Sequence, residues 1–158
     1  MLPMTIDAYK RELLYRKAHG NGLRDKHEKK LEFLLGAELE STVSLSLAET
    51  DNIIINLVKS QNVFTEHAEF ATLDECIKYY SSRATVGEYY LLLDEDWRYC
   101  GACIARNLKL NPGYDFNKFR SDEIRLISTD FCTEIAIDYT ETHAKDLFEC
   151  RISRYVPA

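Results

Sequence analysis

Phe131-Cys132-Thr133-Glu134-Ile135-Ala136-Ile137-Asp138-Tyr139 is the stretch that decides the fold. Phe131, Thr133, Ile135, Ile137 and Tyr139 alternate with Cys132, Glu134, Ala136 and Asp138. This is the period-two mark of a strand with one buried and one wet face. Thr140 to Lys145 then turns the chain. Phe148, Cys150, Ile152, Arg154 and Val156 alternate with Glu149, Arg151, Ser153 and Tyr155 in a returning strand. Working upstream, Glu123 to Ser128 reads as a third strand, and Asn111-Pro112-Gly113 breaks the chain. Glu88-Tyr89-Tyr90-Leu91-Leu92-Leu93 is aromatic and apolar enough for a central strand. Asp94-Glu95-Asp96 makes a polar hairpin turn, after which Trp97 to Leu108 returns. From about Val86 onward the pattern is an antiparallel meander of about five strands.

The preceding half reads mainly helical. Thr5 caps a helix with Ile6, Tyr9 and Leu13 on one face, and Gly20-Asn21-Gly22 ends it. A second helix from Arg24 carries Leu31, Leu34, Leu35 and Leu39 as its apolar stripe, weakened by Gly36. Val43, Leu45 and Leu47 alternate with Ser44 and Ser46 as a short strand. Thr50-Asp51 then caps a helix bearing Ile54, Leu57 and Val58, although the β-branched run Ile53-Ile54-Ile55 leaves strand or helix open over residues 41–60. Thr65 to Glu69 reads as a polar loop. Thr72 with Glu75 is a capping box for a helix that turns Leu73, Ile77 and Tyr80 inward. Helices followed by strands give an α+β fold, with N-terminal helices packed on the sheet. The expected organisation is one domain over residues 1–158, mainly helical over 1–82 and mainly sheet over 83–158.

With 158 residues, 46% apolar and 29% charged, the chain is globular in composition and long enough for its own core. It lacks an apolar run of membrane-spanning length, and Met1 to Asp7 lacks the pattern of a secretory leader, so a soluble cytoplasmic protein is expected. The net charge is −6. Residues 1–35 carry Lys10, Arg11, Arg16, Lys17, Arg24, Lys26, Lys29 and Lys30 against five acids, a local +3, which leaves −9 for the remainder. A negative body repels phosphate and favours a cationic partner. The basic segment is a solvated helix face or, as a second alternative, the contact of a nucleic-acid-binding regulator, which the whole-chain charge disfavours.

Five cysteines, Cys76, Cys100, Cys103, Cys132 and Cys150, are odd in number and read as reduced thiols. Cys100-Gly101-Ala102-Cys103 has the spacing of a thiol oxidoreductase site. That chemistry needs the first thiol at a helix N-terminus, whereas Asn111-Pro112-Gly113 leaves little room for a following helix. A zinc set from Cys100, Cys103, Cys132 and Cys150 lacks the two close pairs of a zinc knuckle. His19, His27, His67 and His143 stand at no metal-ligand spacing, and the glycines are too scattered for a phosphate loop. No catalytic residue, metal or cofactor is assigned.

The acids carry more. Asp94, Glu95 and Asp96 share a turn, and Asp122 and Glu123 precede a strand. Glu134 and Asp138 share a strand face with Cys132 and Ala136. The bland account is a solvated sheet face. A pair of hydrolytic carboxylates and an acidic docking surface with aromatic anchors are the functional ones. The docking surface consists of Asp94, Glu95, Asp96, Asp122, Glu123, Glu134 and Asp138, with Trp97 and Tyr90 as anchors.

Glu88-Tyr89-Tyr90-Leu91-Leu92-Leu93-Asp94-Glu95-Asp96-Trp97, Ser121-Asp122-Glu123-Ile124-Arg125-Leu126-Ile127 and the acidic strands resemble the small immunity proteins of bacterial polymorphic-toxin systems, including those of contact-dependent growth inhibition. The resemblance covers roughly the C-terminal half and brings no shared catalytic residues. It implies a cytoplasmic, non-enzymatic protein that binds a cognate toxin domain, often a basic nuclease, and blocks its active site.

Overall fold

A computed structural model describes residues 5–84, 87–106 and 109–157. Met1 to Met4, with the expected lack of a secretory leader, and Val86 and Leu108, the expected limits of the first sheet strands, lie outside the described residues, as does the side chain of Ile6. The elements in order are α1 (Ile6–Leu35), a 3-10 turn (Gly36–Ser41), β1 (Val43–Ser44), α2 (Leu47–Lys59), β2 (Gln61–Phe70), α3 (Leu73–Ser81), β3 (Tyr89–Leu93), α4 (Trp97–Cys100), β4 (Cys103–Ala105), α5 (Phe116–Phe119), β5 (Glu123–Ser128), β6 (Thr133–Thr142) and β7 (Lys145–Val156). The fold is α+β: a long N-terminal helix, then a sheet of seven strands instead of about five, in the order β1-β4-β3-β5-β6-β7-β2 with every pairing antiparallel. Among the described residues no helix is long and apolar enough to cross a membrane.

The two helices expected before residue 36 are one. Thr5 caps α1 by accepting the Ala8 N–H at 3.2 Å, but Gly20-Asn21-Gly22 lies inside the helix. Tertiary contact explains why glycine stands there. A Cβ at Gly20 would run into the Tyr99 carbonyl oxygen, so glycine lets α1 lie against the backbone of α4. The helix ends at Gly36, with φ 56°. Leu34 and Leu35 are buried in the core, with Leu31 and Leu39 packed against it, as the leucine stripe requires.

Over residues 41–60 the helix dominates. Only Val43–Ser44 is strand, and α2 is capped by Ser46, not Thr50. Ser46 Oγ accepts the Glu49 N–H at 3.1 Å and the Ser46 N–H donates to Glu49 at 3.0 Å, a capping box one turn earlier than expected. Thr50 is fully buried inside α2. Its hydroxyl donates to the Ser46 carbonyl and accepts the Ala102 N–H at 2.9 Å, pinning α2 to the start of β4. The buried face is therefore Ile53 and Leu57, and Val58 is exposed.

The largest correction is β2. It falls in the half read as helical, and it converts the expected polar loop around His67 into a ten-residue edge strand paired with β7. The strand expected from Trp97 onward is likewise divided into α4 and the short β4. The Thr72 cap and β5 stand where the sequence places them.

The sheet is covered on both faces. One face carries Tyr89, Leu91, Leu93, Ile124, Leu126, Ile135 and Ile137 under the C-terminal part of α1, α3 and α5. Tyr90, Leu92 and Ile127 on the other face pack under Ile53 and Leu57 of α2. This second layer is why Glu134 and Ala136 are buried and the expected wet face of β6 begins only at Asp138.

Candidate functional site

α2 covers only part of its face, and Glu123, Asp138 and Glu149 lie on that same face of β5, β6 and β7. Their register places them directly opposite one another: Glu123 faces Asp138, Asp138 faces Glu149, and Glu149 faces Glu69 of β2. Four carboxylates thus stand abreast on four adjacent strands, at a strand spacing of about 4.8 Å. Like charges directly opposite one another destabilise a sheet. The next row toward the sheet centre is Arg125, Ala136, Arg151 and His67, whose two arginines partly offset the first.

Beside Glu123 the surface sinks into a cleft of about 520 Å³ between the turn after β3 and the strands β5 and β6. Asp94, Glu95, Trp97, Asp122, Glu123 and Asp138 line it, together with Arg98, Arg125, Tyr139 and Thr140. Six of the nine residues singled out from the sequence therefore converge. Burial first, and then the Asp138 charge, raise the Glu123 carboxyl to about 7. Burial and the Asp94 charge raise Asp122 as well. The cleft is an electrostatically crowded carboxyl cluster.

The remaining three sit elsewhere. Asp96 faces α1, 3.0 Å from Lys30 Nζ and 3.2 Å from His27 Nδ1. Burial alone would raise its carboxyl, but the bonds to His27 and Lys30 outweigh that and hold it below the ordinary range. Glu134 is buried and takes two hydrogen bonds from Arg125, at 2.6 and 3.1 Å, because α2 and Tyr155 close over that part of the face. It does not face water, as its alternation had implied. Tyr90 packs 5.8 Å from Phe131 in the layer under α2, so it is core and not an anchor.

Asp94 lines the cleft but works inward, and the Asp94-Glu95-Asp96 turn is not the open polar hairpin expected. With φ 52° Asp94 is left-handed, a conformation aspartate tolerates better than most residues. Its carboxylate accepts from Lys30 at 2.8 Å, Ser121 Oγ at 2.9 Å, and the Asp122 and Glu123 N–H groups at 2.9 and 3.1 Å. It fixes the two cleft acids that follow it.

Glu149 and Glu69 were missed in the sequence. Glu149 was missed because the expected turn from Thr140 to Lys145 is in fact only His143-Ala144: β6 runs on to Thr142 and β7 starts at Lys145, and counting outward from that pair sets Asp138 opposite Glu149. Glu69 was hidden because β2 was not recognised as a strand.

Of the basic N-terminal residues, Arg16 makes a two-pronged pair with Asp51 at 2.8 and 2.9 Å, and Lys30 is spent on Asp94 and Asp96. Cys100 ends α4 instead of opening a helix, and Cys103 lies in β4. Burial raises both thiols, Cys103 to about 11, the opposite of what thiolate chemistry needs. Among the described residues no three His, Cys, Asp or Glu side chains are placed so that they could hold a metal ion, whether from Cys100, Cys103, Cys132 and Cys150 or from others.

The carboxyl row carries a pH signature. The Glu123 carboxyl lies above its ordinary value in the folded protein, so folding takes up a proton between about pH 4.5 and 7. Its contribution to stability is full below that window and is lost as pH rises through 7. Glu123→Gln should therefore raise stability at pH 8 by roughly 1 kcal/mol, after allowance for the screening of a half-exposed group, and leave it unchanged at pH 4. Calorimetric melting temperatures of both proteins from pH 4 to 8 check this; parallel curves would remove the crowding.

Comparison with protein-family models, with curated proteins and with solved structures finds no match to this chain.

Proposed function

We propose that this is a cytoplasmic immunity-type binding protein that neutralises a cognate toxin, a cationic nuclease domain, by occupying the toxin's active site. The carboxylate row Glu123, Asp138, Glu149 and Glu69, running out from a cleft that also holds Glu95, Asp122 and Trp97, is the observation that supports it. A nuclease site must be positive to hold phosphate. Carboxylates in register offer it a polyanion already fixed in place, and an unfavourable arrangement in the free protein is relieved when cations arrive. Trp97 supplies a partly buried aromatic wall at the cleft, where an arginine or lysine of the toxin can stack.

The test uses the nuclease domain of the large secreted protein encoded directly upstream, where immunity predicts one. Glu95→Lys, Asp122→Lys and Glu149→Lys combined should slow association at least tenfold, flatten its dependence on salt and abolish protection of cells expressing the toxin. These three positions are chosen because none takes an ion pair among the described residues, unlike Asp94, Asp96 and Glu134. Unchanged association and unchanged protection would overturn the acidic-surface mechanism.

A further inference from the structure

A second concavity lies on the opposite side of α4. It has a volume of about 730 Å³ and runs between α1 and the sheet edge formed by β1, β4 and the start of α2. Leu91, Leu93 and Cys103 belong both to the main core and to the floor of this cavity, so the core borders it directly. Leu13 and Leu31 of α1 line one wall, and Leu45, Leu47 and Ala48 the other.

The gap exists because α1 ahead of Leu31 is held by polar struts and close backbone contact, and its apolar packing is confined to the C-terminal turns around Leu34 and Leu35. Arg16 reaches Asp51 and the Arg98 carbonyl, Gly20 abuts Tyr99, and His27 and Lys30 reach Asp96. These fix α1 against α2 and α4 while leaving the leucines between them short of partners.

The cavity's rim is cationic on a protein whose net charge is −6. Lys10, Lys17 and Arg24 recur every seventh residue of α1, hence on one side of it and about 10 Å apart. All three are exposed. They take no ion pair or side-chain hydrogen bond among the described residues, whereas Arg16 and Lys30 do. Glu28 is the one carboxylate among the lining residues. A half-open, mostly apolar concavity of small-ligand size with a few polar groups at its rim has the ordinary form of a small-molecule site, and here those polar groups select negative charge.

We infer that this cavity binds a free long-chain carboxylate, its hydrocarbon chain along the leucine-lined floor and walls and its carboxylate held by the nearest of the rim cations Lys10, Lys17 and Arg24. The inference does not rest on toxin binding, and either can fail without the other.

Titration calorimetry with monomeric dodecanoate tests it, with 1-decanol and decanoate as a pair that differs in charge. Decanoate should bind at least tenfold more tightly than decanol. Lys10→Glu with Lys17→Glu and Arg24→Glu should weaken dodecanoate at least tenfold, and Ala48→Trp, which fills the cavity from the first turn of α2, should do the same. Cys100 lines the cavity and Cys132 does not. Saturating dodecanoate should slow alkylation of Cys100 at least fivefold and leave Cys132 unchanged. Equal binding of decanol, full binding by the Ala48→Trp protein, or no protection of Cys100 would each overturn the inference. Binding to phosphatidylglycerol vesicles without binding of monomeric dodecanoate would overturn it too, by assigning the rim to a membrane surface.

Discussion

Asp94→Ala is expected to destabilise the protein by about 3–5 kcal/mol, the range for breaking a buried, hydrogen-bonded charge pair by removing one partner. The carboxylate accepts from Lys30, Ser121 and two successive backbone N–H groups. Alanine leaves the last three without that acceptor, and Lys30 with Asp96 alone. It also places a methyl side chain at a φ of 52°, where alanine is strained and aspartate is tolerated. Asp94→Asn keeps the length, the backbone acceptor and the tolerance of left-handed backbone, and should fall between alanine and the native protein. Guanidinium unfolding at pH 7 measures both. Native stability in Asp94→Ala, with only partner binding lost, would return Asp94 to the surface.

Ile137→Ala and Asp138→Ala, one residue apart, should separate by a similar margin. Ile137 has no exposed surface; Ile124 and Cys150 flank it in register within the main core. Truncating it should cost about 2–5 kcal/mol, the transfer term plus the cavity left behind. Asp138 is half-buried in the carboxylate row, where its loss relieves repulsion, so alanine should change stability by no more than about 0.5 kcal/mol. Equilibrium unfolding in urea distinguishes them. The reverse order would mean that β6 is displaced by one residue, which would turn every side chain on it to the other face.

How much of this could be read from the chain depended on what each segment buries. β5 was legible to the residue, and the alternation of Ile135 and Ile137 correctly chose the core face, because an apolar period is strong where one face must be dry. The same alternation misplaced Glu134. Nothing local shows that α2, some 80 residues earlier in the chain, covers the opposite face. β2 escaped because an edge strand is solvated on much of its surface. Val63 and Phe64 are 62% and 55% exposed, so burial imposes no period on the sequence. Gly20-Asn21-Gly22 was misread for a related reason: its local propensity ends a helix, and only contact with Tyr99, a long-range neighbour, reveals why the glycine is inside one. At the site, the acids of the cleft were identifiable as a group, since they cluster in sequence. Which of them are free was not, because Lys30 and His27, the partners of Asp94 and Asp96, lie on α1, more than 60 residues away.

The position of β2 beside β7 has a consequence for how the protein is made. β1 and β2 are neighbours in sequence but occupy opposite edges of the sheet, so the first strands emerging from a ribosome cannot pair with each other. Among the described residues β2 pairs with β7 alone, whose first residue is synthesised about 75 residues later, a delay of roughly 4–15 s at ordinary elongation rates. During that interval β2 is an unpaired strand with Val63 and Phe64 uncovered. The chain must also close one of its longest loops to finish the sheet, which makes folding slow for its size. Residues 1–82 are therefore not an independent folding unit: a nascent chain halted before Lys145 should remain protease-sensitive through Gln61–Phe70, and become resistant only once the last strand has been released.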